Sequence, residues 1–254
     1  MIALVTGASS GIGKAMLPWF AGDKHDLILV ARRAELLEQA KRELEGKVRV
    51  WTIALDLAKP GAAAELFRQT QELGLDVDIL VNNAGFSLYG LFHEQPLDRL
   101  AEMIDLNVGA LTELTHLYLA SMKLRGRGRI LQVASTAAFQ PGPRMAVYYA
   151  TKAYVLSFSE ALACELEGSG VTVTALCPGP TKSEFNEVAG FKMPASLEGS
   201  VMTSEDVARI GYRDMMKGKR VAVAGVVNRV MTIGAQLAPR GMILAITDRL
   251  LRAR

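Results

Sequence analysis

Two adjacent tyrosines stand just ahead of a lysine in the stretch VYYATKAY, residues 147–154. A tyrosine, whose pKa is ordinarily about 10, exchanges protons near neutral pH only when its phenolate is stabilised, and a lysine ammonium can stabilise it. Lys152 lies four residues after Tyr148 and three after Tyr149, so on a helix it neighbours either phenol. The spacing predicts an acid–base pair and leaves open which tyrosine belongs to it. Packing of both rings in an amphipathic helix is the alternative.

A glycine-rich segment, TGASSGIG, follows the first apolar run and places Gly7, Gly11 and Gly13 at a strand-to-helix turn. Glycines there let a pyrophosphate approach the backbone amides and the positive start of the helix. The spacing is G-x-x-x-G-x-G rather than G-x-G-x-x-G, and a purely structural turn is the alternative. Its place ahead of a long series of strand–helix units favours a dinucleotide site.

The end of the second apolar run, LVARRAE, bears on the choice of dinucleotide. Proteins that bind NAD usually place a carboxylate here for the ribose 2′-hydroxyl, whereas arginine suits the 2′-phosphate of NADP. Arg32 and Arg33 occupy this point, and no carboxylate follows until Glu35. The prediction is NADP(H); a solvated helix start is the alternative, although positive charge at a helix amino end is unfavourable without an anion.

The elements that must position these residues are short apolar runs that alternate with segments of helical spacing. The runs are IALVT from Ile2, LILVA from Leu27, VRVWTIA from Val48, DILVN from Asp78, RILQVA from Arg129, VTVTALC from Val171 and RVAVAG from Arg220. Helical spacing covers 34–44, 62–73 and 145–166. This alternation predicts an α/β fold, a doubly wound, Rossmann-like parallel sheet of about seven strands with helices on both faces. Its ligand crevice lies beyond the carboxyl ends of the strands. Residues 1–254 are expected to form a single domain.

Composition limits the classes of function. The net charge of +3 is too small to predict a nucleic-acid partner, and the 3 histidines and 2 cysteines lack metal-ligand spacing. Cys164 and Cys177 are expected to be reduced core residues. The N-terminal apolar run lacks a basic leader, and no uncharged apolar run approaches the ~20 residues that a membrane-spanning helix needs. A cytoplasmic protein is expected.

Several motifs in order along nearly the whole chain carry a family resemblance. They are TGASSGIG, NNAG at 82–85, Asn107, Ser135, Y-x-x-x-K and Pro178–Gly179. Together they resemble the short-chain dehydrogenase/reductase family in its common single-domain form. The resemblance places Y-x-x-x-K on Tyr148 and Lys152 and leaves Tyr149 without assigned chemistry.

The resemblance implies that Tyr148 is the general acid in carbonyl reduction and the base in alcohol oxidation. Its phenolate is favoured by Lys152 and by the cationic nicotinamide of the oxidised cofactor. Ser135 holds the substrate oxygen, and Asn107 supports a water that relays protons to Lys152. Taken singly, Ser135 is an ordinary strand-end hydroxyl and Asn107 an ordinary polar residue of a helix.

The family pattern also implies the cofactor contacts. They fall on Gly7, Ser9, Ser10, Gly11, Ile12, Gly13, Arg32, Arg33, Asp56, Leu57, Asn83, Ala84, Gly85, Tyr148, Lys152, Pro178, Gly179, Thr181 and Ser183. The chain departs from the family's P-G-x-V-x-T, because it reads PGPTKS, with Thr181 in place of Val and Ser183 in place of Thr. Serine retains a hydroxyl for the nicotinamide amide.

Three loops after the strands are expected to shape the substrate pocket: FSLYG after NNAG, TAAFQPGPRM after Ser135, and a substrate loop of about 180–200. The candidate lining residues are Phe86, Leu88, Tyr89, Phe139, Phe185, Phe191 and Met193, with Arg144 and Lys192 as uncertain cations. The group is mostly apolar, which predicts a hydrophobic ketone or aldehyde, or an acyl-type substrate. Sealing of the core is the alternative role for the aromatic rings.

The C-terminal extension, about 226–254, has apolar residues at helical spacing. They are Val226, Val230, Ile233 and Leu237, then Ile243, Ile246 and Leu250. Two short amphipathic helices are predicted. Packing over the substrate loop or against a second subunit is favoured over contact with an anionic membrane surface. The family resemblance implies a homodimer or homotetramer through helices at 108–124 and 145–168.

The predicted function is an NADP(H)-dependent oxidoreductase that interconverts a carbonyl and an alcohol. A non-catalytic NADP(H)-binding regulator or scaffold is the rival interpretation, and the joint presence of Asn107, Ser135, Tyr148 and Lys152 weighs against it. A peripheral membrane protein is a third, based on the arginine-rich tail alone.

Overall fold

The seven predicted apolar runs form one parallel sheet in the computed structural model, which describes residues 1–185, 189–190 and 199–252. The strands are β1 (Ile2–Thr6), β2 (Asp26–Ala31), β3 (Val50–Ala54), β4 (Val77–Asn82), β5 (Gly128–Val133), β6 (Val171–Cys177) and β9 (Val221–Val223). Two short strands outside this sheet, β7 (Thr181–Lys182) and β8 (Met202–Thr203), lie between β6 and β9 in the sequence. Their order is β3-β2-β1-β4-β5-β6-β9, and every neighbouring pair is parallel. The order reverses between β1 and β4, which places a ligand crevice at their carboxyl ends.

Helices cover both faces of this sheet. They are α1 (Gly11–Gly22), α2 (Ala34–Glu43), α3 (Ala62–Glu72), α4 (Leu97–Ile104), α5 (Leu111–Leu124), α6 (Ala146–Glu165), α7 (Ser204–Met216), α8 (Val226–Leu237) and α9 (Arg240–Arg252). Strand side chains alternate between faces, so Val5 packs with Phe20 and Tyr212 in one core, while Leu4 packs in the other, which contains Tyr118. The two cores explain why the strands read as continuous apolar runs. The predicted fold class is confirmed.

A second, two-stranded sheet was not predicted. It pairs β7 (Thr181–Lys182) in parallel with β8 (Met202–Thr203). Strands of two residues carry no readable periodicity, which is why the sequence did not reveal them. The pairing draws the two ends of the expected substrate loop together next to the carboxyl end of β6.

One expectation about side-chain burial needs correction. Cys177 is buried, but Cys164 is exposed, because it lies off the row of α6 that contains Tyr148, Val155 and Ser159. The tail forms the two predicted helices, and the apolar row that begins at Val226 is exposed on the single chain, so its packing against a second subunit stays a prediction. In the described part of the chain, no helix has both the length and the apolar character required to cross a bilayer.

Candidate active site

A cavity of about 430 Å³ opens at the carboxyl ends of β1, β2, β4, β5 and β6. Nearly all the predicted site residues line it. They are Gly7, Ser9, Ser10, Gly11, Ile12, Arg32, Arg33, Asp56, Leu57, Asn83, Ala84, Gly85, Ser135, Tyr148, Lys152, Pro178, Gly179, Thr181 and Ser183. Gly13 and Asn107 do not line the cavity; each lies behind a residue that does.

The glycine loop is built around a left-handed turn. Gly7 has φ +65°, and a Cβ there would lie 2.6 Å from Asn83 Nδ2. That amide donates to the carbonyl oxygens of Thr6, at 2.9 Å, and Gly7, at 3.2 Å, and so ties the end of β4 to the loop. A Cβ at Gly13 would lie 2.4 Å from the Gly7 carbonyl oxygen, so the role of Gly13 is to let α1 approach the loop.

The start of α1 has the properties of an anion site. Its N-cap residue, Ser10, makes no side-chain capping bond, and the first turn contains no acidic residue. The first amide N–H groups of a helix have no partner within the helix, and the helix dipole adds positive potential. These donors open onto the cavity beside Ser9, so the residues present fit the pyrophosphate of a dinucleotide.

The two arginines after β2 differ in their partners. Arg33 Nη2 lies 2.9 Å from a carboxylate oxygen of Glu184 and 3.4 Å from Ser9 Oγ. Arg32 is more exposed, and its nearest carboxylate oxygen, on Glu102, lies 3.9 Å away. Arg32 therefore has the weaker ion pair of the two arginines, and its guanidinium is the more available one at the place where a 2′-phosphate would lie.

The two tyrosines line the same cavity but have different neighbours. Tyr148 is buried and shares a hydrogen bond with Ser135, and Lys152 Nζ lies 5.8 Å from the centre of the Tyr148 ring. Tyr149 instead lies against Gly142, where a Cβ would be 2.4 Å from its ring. This geometry favours Tyr148 over Tyr149 as the partner of Lys152, and the catalytic role of Tyr148 is taken up as a proposal below.

Burial controls the titration of this pair. It raises the pKa of the Tyr148 phenol to about 12, against the opposing effect of the hydrogen bond with Ser135. It lowers the pKa of the Lys152 ammonium to about 8, and Lys152 Nζ donates to the Val133 carbonyl oxygen at 2.7 Å. At neutral pH the site therefore holds a protonated phenol beside a charged lysine, the state required of a proton donor.

Asn107 lies in a π-helical segment, Asp105–Ala110, that joins α4 to α5. Its side chain is buried: Oδ1 accepts from Phe86 N–H at 3.1 Å, and Nδ2 donates to the Phe86 carbonyl at 3.0 Å and to Thr151 Oγ1 at 3.2 Å. Single π turns inside helices often mark functional sites. Here the amide fixes the segment after Gly85 against α6, which makes Asn107 a positioning residue; the water relay stays a prediction.

Asn228, at the start of α8, is a site-supporting residue that the sequence analysis missed. It is buried and donates to the Ala224 carbonyl at 2.8 Å. A Cβ on Gly179 would lie 2.4 Å from the Asn228 amide, so only glycine allows α8 to approach the strand end here. Asn228 lies 49 positions after Gly179, so no local motif joins them.

The expected substrate end of the cavity is largely apolar. Its described lining includes Phe86, Met145, Tyr149, Phe185 and Leu251. Of the other predicted lining residues, Leu88 and Tyr89 pack behind Phe86, and Phe139 packs in a separate cluster with Val155. Phe191, Lys192 and Met193 lie outside the described residues.

The C-terminal helix α9 closes this end of the cavity with Leu251, a residue that the sequence did not predict to line it. Tyr89 Oη donates to the Leu251 carbonyl at 2.5 Å, and Arg144 Nη1 donates to Asp248 Oδ1 at 2.9 Å. Arg252 and Arg144 hold the pKa of the Asp248 carboxyl below its usual value. Arg144, an uncertain substrate cation in the sequence analysis, thus fastens α9 to the domain instead.

Comparisons with known proteins agree with this geometry. A family model described as short chain dehydrogenase matches residues 1–192. Sulfoacetaldehyde reductase 2 of Chromohalobacter salexigens is 38% identical over 218 residues, 82% of this chain and 86% of the relative. The short-chain dehydrogenase from Sphingobium yanoikuyae in complex with NADPH is 32% identical, with a TM-score of 0.82 and 92% of each chain covered. A 7β-hydroxysteroid dehydrogenase is 25% identical, with a TM-score of 0.87 over 97% of this chain and 96% of that one.

Fold and family match define the chain as an oxidoreductase of the Rossmann-like class, in which the cofactor is a nicotinamide dinucleotide. Within that class, it belongs to the short-chain dehydrogenase/reductase family. The resemblance drawn from its motifs is confirmed.

Proposed function

We propose that the protein is an NADP(H)-dependent reductase of hydrophobic ketones or aldehydes that uses Tyr148 as its general acid. One observation supports this most: Tyr148, Lys152 and Ser135 share one cavity with the glycine loop and Arg32. A non-catalytic cofactor-binding regulator has no need of a buried phenol–ammonium pair. The whole chain is proposed to act as one domain, with residues of about 180–200 and the C-terminal extension bordering the substrate.

The residues of the cavity account for the proton chemistry. A bound nicotinamide would supply or accept the hydride. Ser135 Oγ and the Tyr148 phenol would both hydrogen-bond the carbonyl oxygen, and the phenol donates its proton as that oxygen becomes negative. The phenolate left behind is stabilised by the Lys152 ammonium, which the Val133 carbonyl holds in place. In the reverse direction the phenolate accepts the alcohol proton.

Two features support NADP(H) over NAD(H). Arg32 and Arg33 line the cavity after β2, and no described acidic residue replaces them at that strand end. One of the similar solved structures is a complex with NADPH. The direct test measures oxidation of NADPH and of NADH side by side with a panel of carbonyl compounds. Turnover of small, highly polar carbonyls alone would contradict the proposed substrate class, and equal use of both cofactors would contradict the proposed cofactor.

The buried lysine predicts a pH dependence. Lys152 is charged below its pKa of about 8 and loses its charge above it. Tyr148, with a pKa of about 12, stays protonated over the same range. We therefore expect kcat/KM for carbonyl reduction to be level below about pH 8 and to fall by about tenfold per pH unit above it. A pH profile at saturating NADPH measures this; a level profile to about pH 10 would show that the charge of Lys152 is not needed.

The packing of Leu251 predicts a size filter. Leu251→Ala removes the part of the side chain that lines the cavity, so we expect kcat/KM for bulky ketones to rise about tenfold relative to small ones. Leu244→Ala on the same helix is the control, because Leu244 is exposed. Steady-state kinetics on ketones of increasing bulk measure the change, with NADPH affinity as the test of folding. An unchanged preference would show that α9 does not bound the substrate.

The predicted homodimer or homotetramer through α5 and α6 remains a proposal. Sedimentation equilibrium of the full chain gives the subunit number directly.

A further inference from the structure

Helix α8 exposes apolar side chains and buries polar ones, the opposite of an ordinary surface helix. Val226, Val230, Ile233 and Leu237, spaced along one side, are 80%, 64%, 49% and 83% exposed. The opposite side, which contacts the domain, contains the buried polar residues Asn228 and Thr232. A surface helix normally turns its apolar stripe inward. The apolar stripe of α8 therefore has no partner in the described part of the chain.

Helix α9 follows after a two-residue connection, Ala238 and Pro239, and also exposes apolar side chains. Met242 and Ile246 are 50% and 48% exposed, whereas Thr247 and the apolar Leu251 are buried on its inner side. We call six of the exposed apolar residues on the two helices the C-terminal apolar face. The face consists of Val226, Val230, Ile233, Leu237, Met242 and Ile246. Exposed apolar clusters of this kind usually mark an interaction site.

Arginines without acidic partners lie on the same two helices. Arg229, Arg240 and Arg249 are exposed, and none lies within ion-pair distance of a carboxylate in the described residues. The single acidic residue in 226–252, Asp248, is already paired, at 2.9 Å with Arg144 and at 2.6 Å with Arg252. The surface thus combines apolar side chains with uncompensated positive charge.

The positive charge of these arginines indicates which kind of partner could cover the C-terminal apolar face. A symmetric contact through this face with a second copy would bring the arginines of both copies into one interface, because a twofold interface pairs each patch with itself. Positive charges gathered in one interface without acidic partners oppose association. An anionic occupant with an apolar interior satisfies both features, and the surface of a bilayer that contains anionic lipids has this chemistry.

We propose that α8 and α9 form a docking surface for anionic membranes, with the C-terminal apolar face inserted among the lipids and the arginines at the headgroups. The helices lie in the interface and do not span the bilayer. Each arginine near an anionic surface contributes roughly fivefold to partitioning. Since α9 also carries Leu251 in the cavity wall, docking would bring the substrate end of the cavity close to the membrane.

Co-sedimentation of the full chain with vesicles tests the proposal. We expect binding to phosphatidylcholine vesicles that also contain phosphatidylglycerol, little binding to phosphatidylcholine alone, and release at high salt. Val230→Ser combined with Leu237→Ser should lower partitioning by about tenfold or more, because both side chains would lose their apolar burial. Arg229→Gln combined with Arg240→Gln should lower the preference for the anionic vesicles by about 25-fold, because each arginine contributes roughly fivefold.

The matched control is Leu97→Ser combined with Leu73→Ser. These leucines are 79% and 52% exposed and lie outside both the C-terminal apolar face and the proposed subunit interface, so this variant should bind like the original protein. Circular dichroism and NADPH affinity establish that each variant is folded. Equal binding to both kinds of vesicle, or equal losses in test and control variants, would overturn the proposal. So would a lack of vesicle binding together with self-association that Val230→Ser and Leu237→Ser abolish, because the face would then be a subunit interface.

Discussion

Tyr148→Phe is expected to lower kcat for carbonyl reduction by about a thousandfold or more, at the upper end of what general acid catalysis contributes. The change removes the one hydroxyl that shares the Ser135 hydrogen bond beside Lys152. Phenylalanine keeps the ring that packs against Phe185, with ring centres now 5.6 Å apart, so the fold should survive. Single-turnover measurements with bound NADPH report the chemical step directly.

The adjacent tyrosine provides the matched control for this experiment. Tyr149→Phe removes a hydroxyl from the same cavity but from a ring that packs on Gly142, so kcat should change by less than about tenfold. NADPH affinity should stay within about threefold of the original in both variants, because the proposed phosphate contacts lie at the glycine loop and Arg32. Normal turnover by Tyr148→Phe would remove Tyr148 from the mechanism, whereas equal losses in both variants would indicate damage to the pocket.

The second large effect is expected at the arginines after β2. Arg32→Ala should weaken NADPH binding by about ten- to a hundredfold and NADH binding by less than about threefold, because a charge-assisted contact with the 2′-phosphate would be lost. Arg33→Ala should have a smaller effect, since the Arg33 guanidinium already pairs with Glu184 at 2.9 Å. Titration of cofactor fluorescence measures both affinities.

Arg42→Ala controls for the loss of one positive charge near this edge of the sheet, because Arg42 is an exposed residue of α2 outside the cavity lining. It should leave both affinities unchanged. Parallel losses of NADPH and NADH binding in Arg32→Ala would show that Arg32 supports the loop and does not discriminate the phosphate.

The strands and the glycine loop were predictable because their signals are local. Apolar runs such as IALVT are buried on both sides of the sheet, so each reads as a strand without knowledge of its neighbours. Gly7 follows β1 directly, and its positive φ is a property of one residue and its turn. Cys164 shows the limit of such reasoning: its residue type favours burial, but its position on α6 faces solvent.

Local sequence patterns could not predict contacts between residues that are far apart in the chain. Tyr89 and Leu251 are 162 positions apart, and Arg144 and Asp248 are 104 apart, yet these two pairs bring α9 to the cavity. The exposed side of α8 is a further case. Its apolar spacing predicts an amphipathic helix correctly, but only the packing of Asn228 against Gly179 shows which side meets the domain.

The sequence by itself determined the order of strands and helices, the glycine loop, the arginines after β2 and a lysine one turn from two phenols, because each depends on residue type and short spacing. Only the tertiary structure decided that Tyr148 hydrogen-bonds Ser135, that Arg144 forms an ion pair with Asp248, and that Leu251 lines the cavity. The physical reason is that such contacts depend on how separate elements pack, and packing between distant segments leaves no periodic trace in the chain.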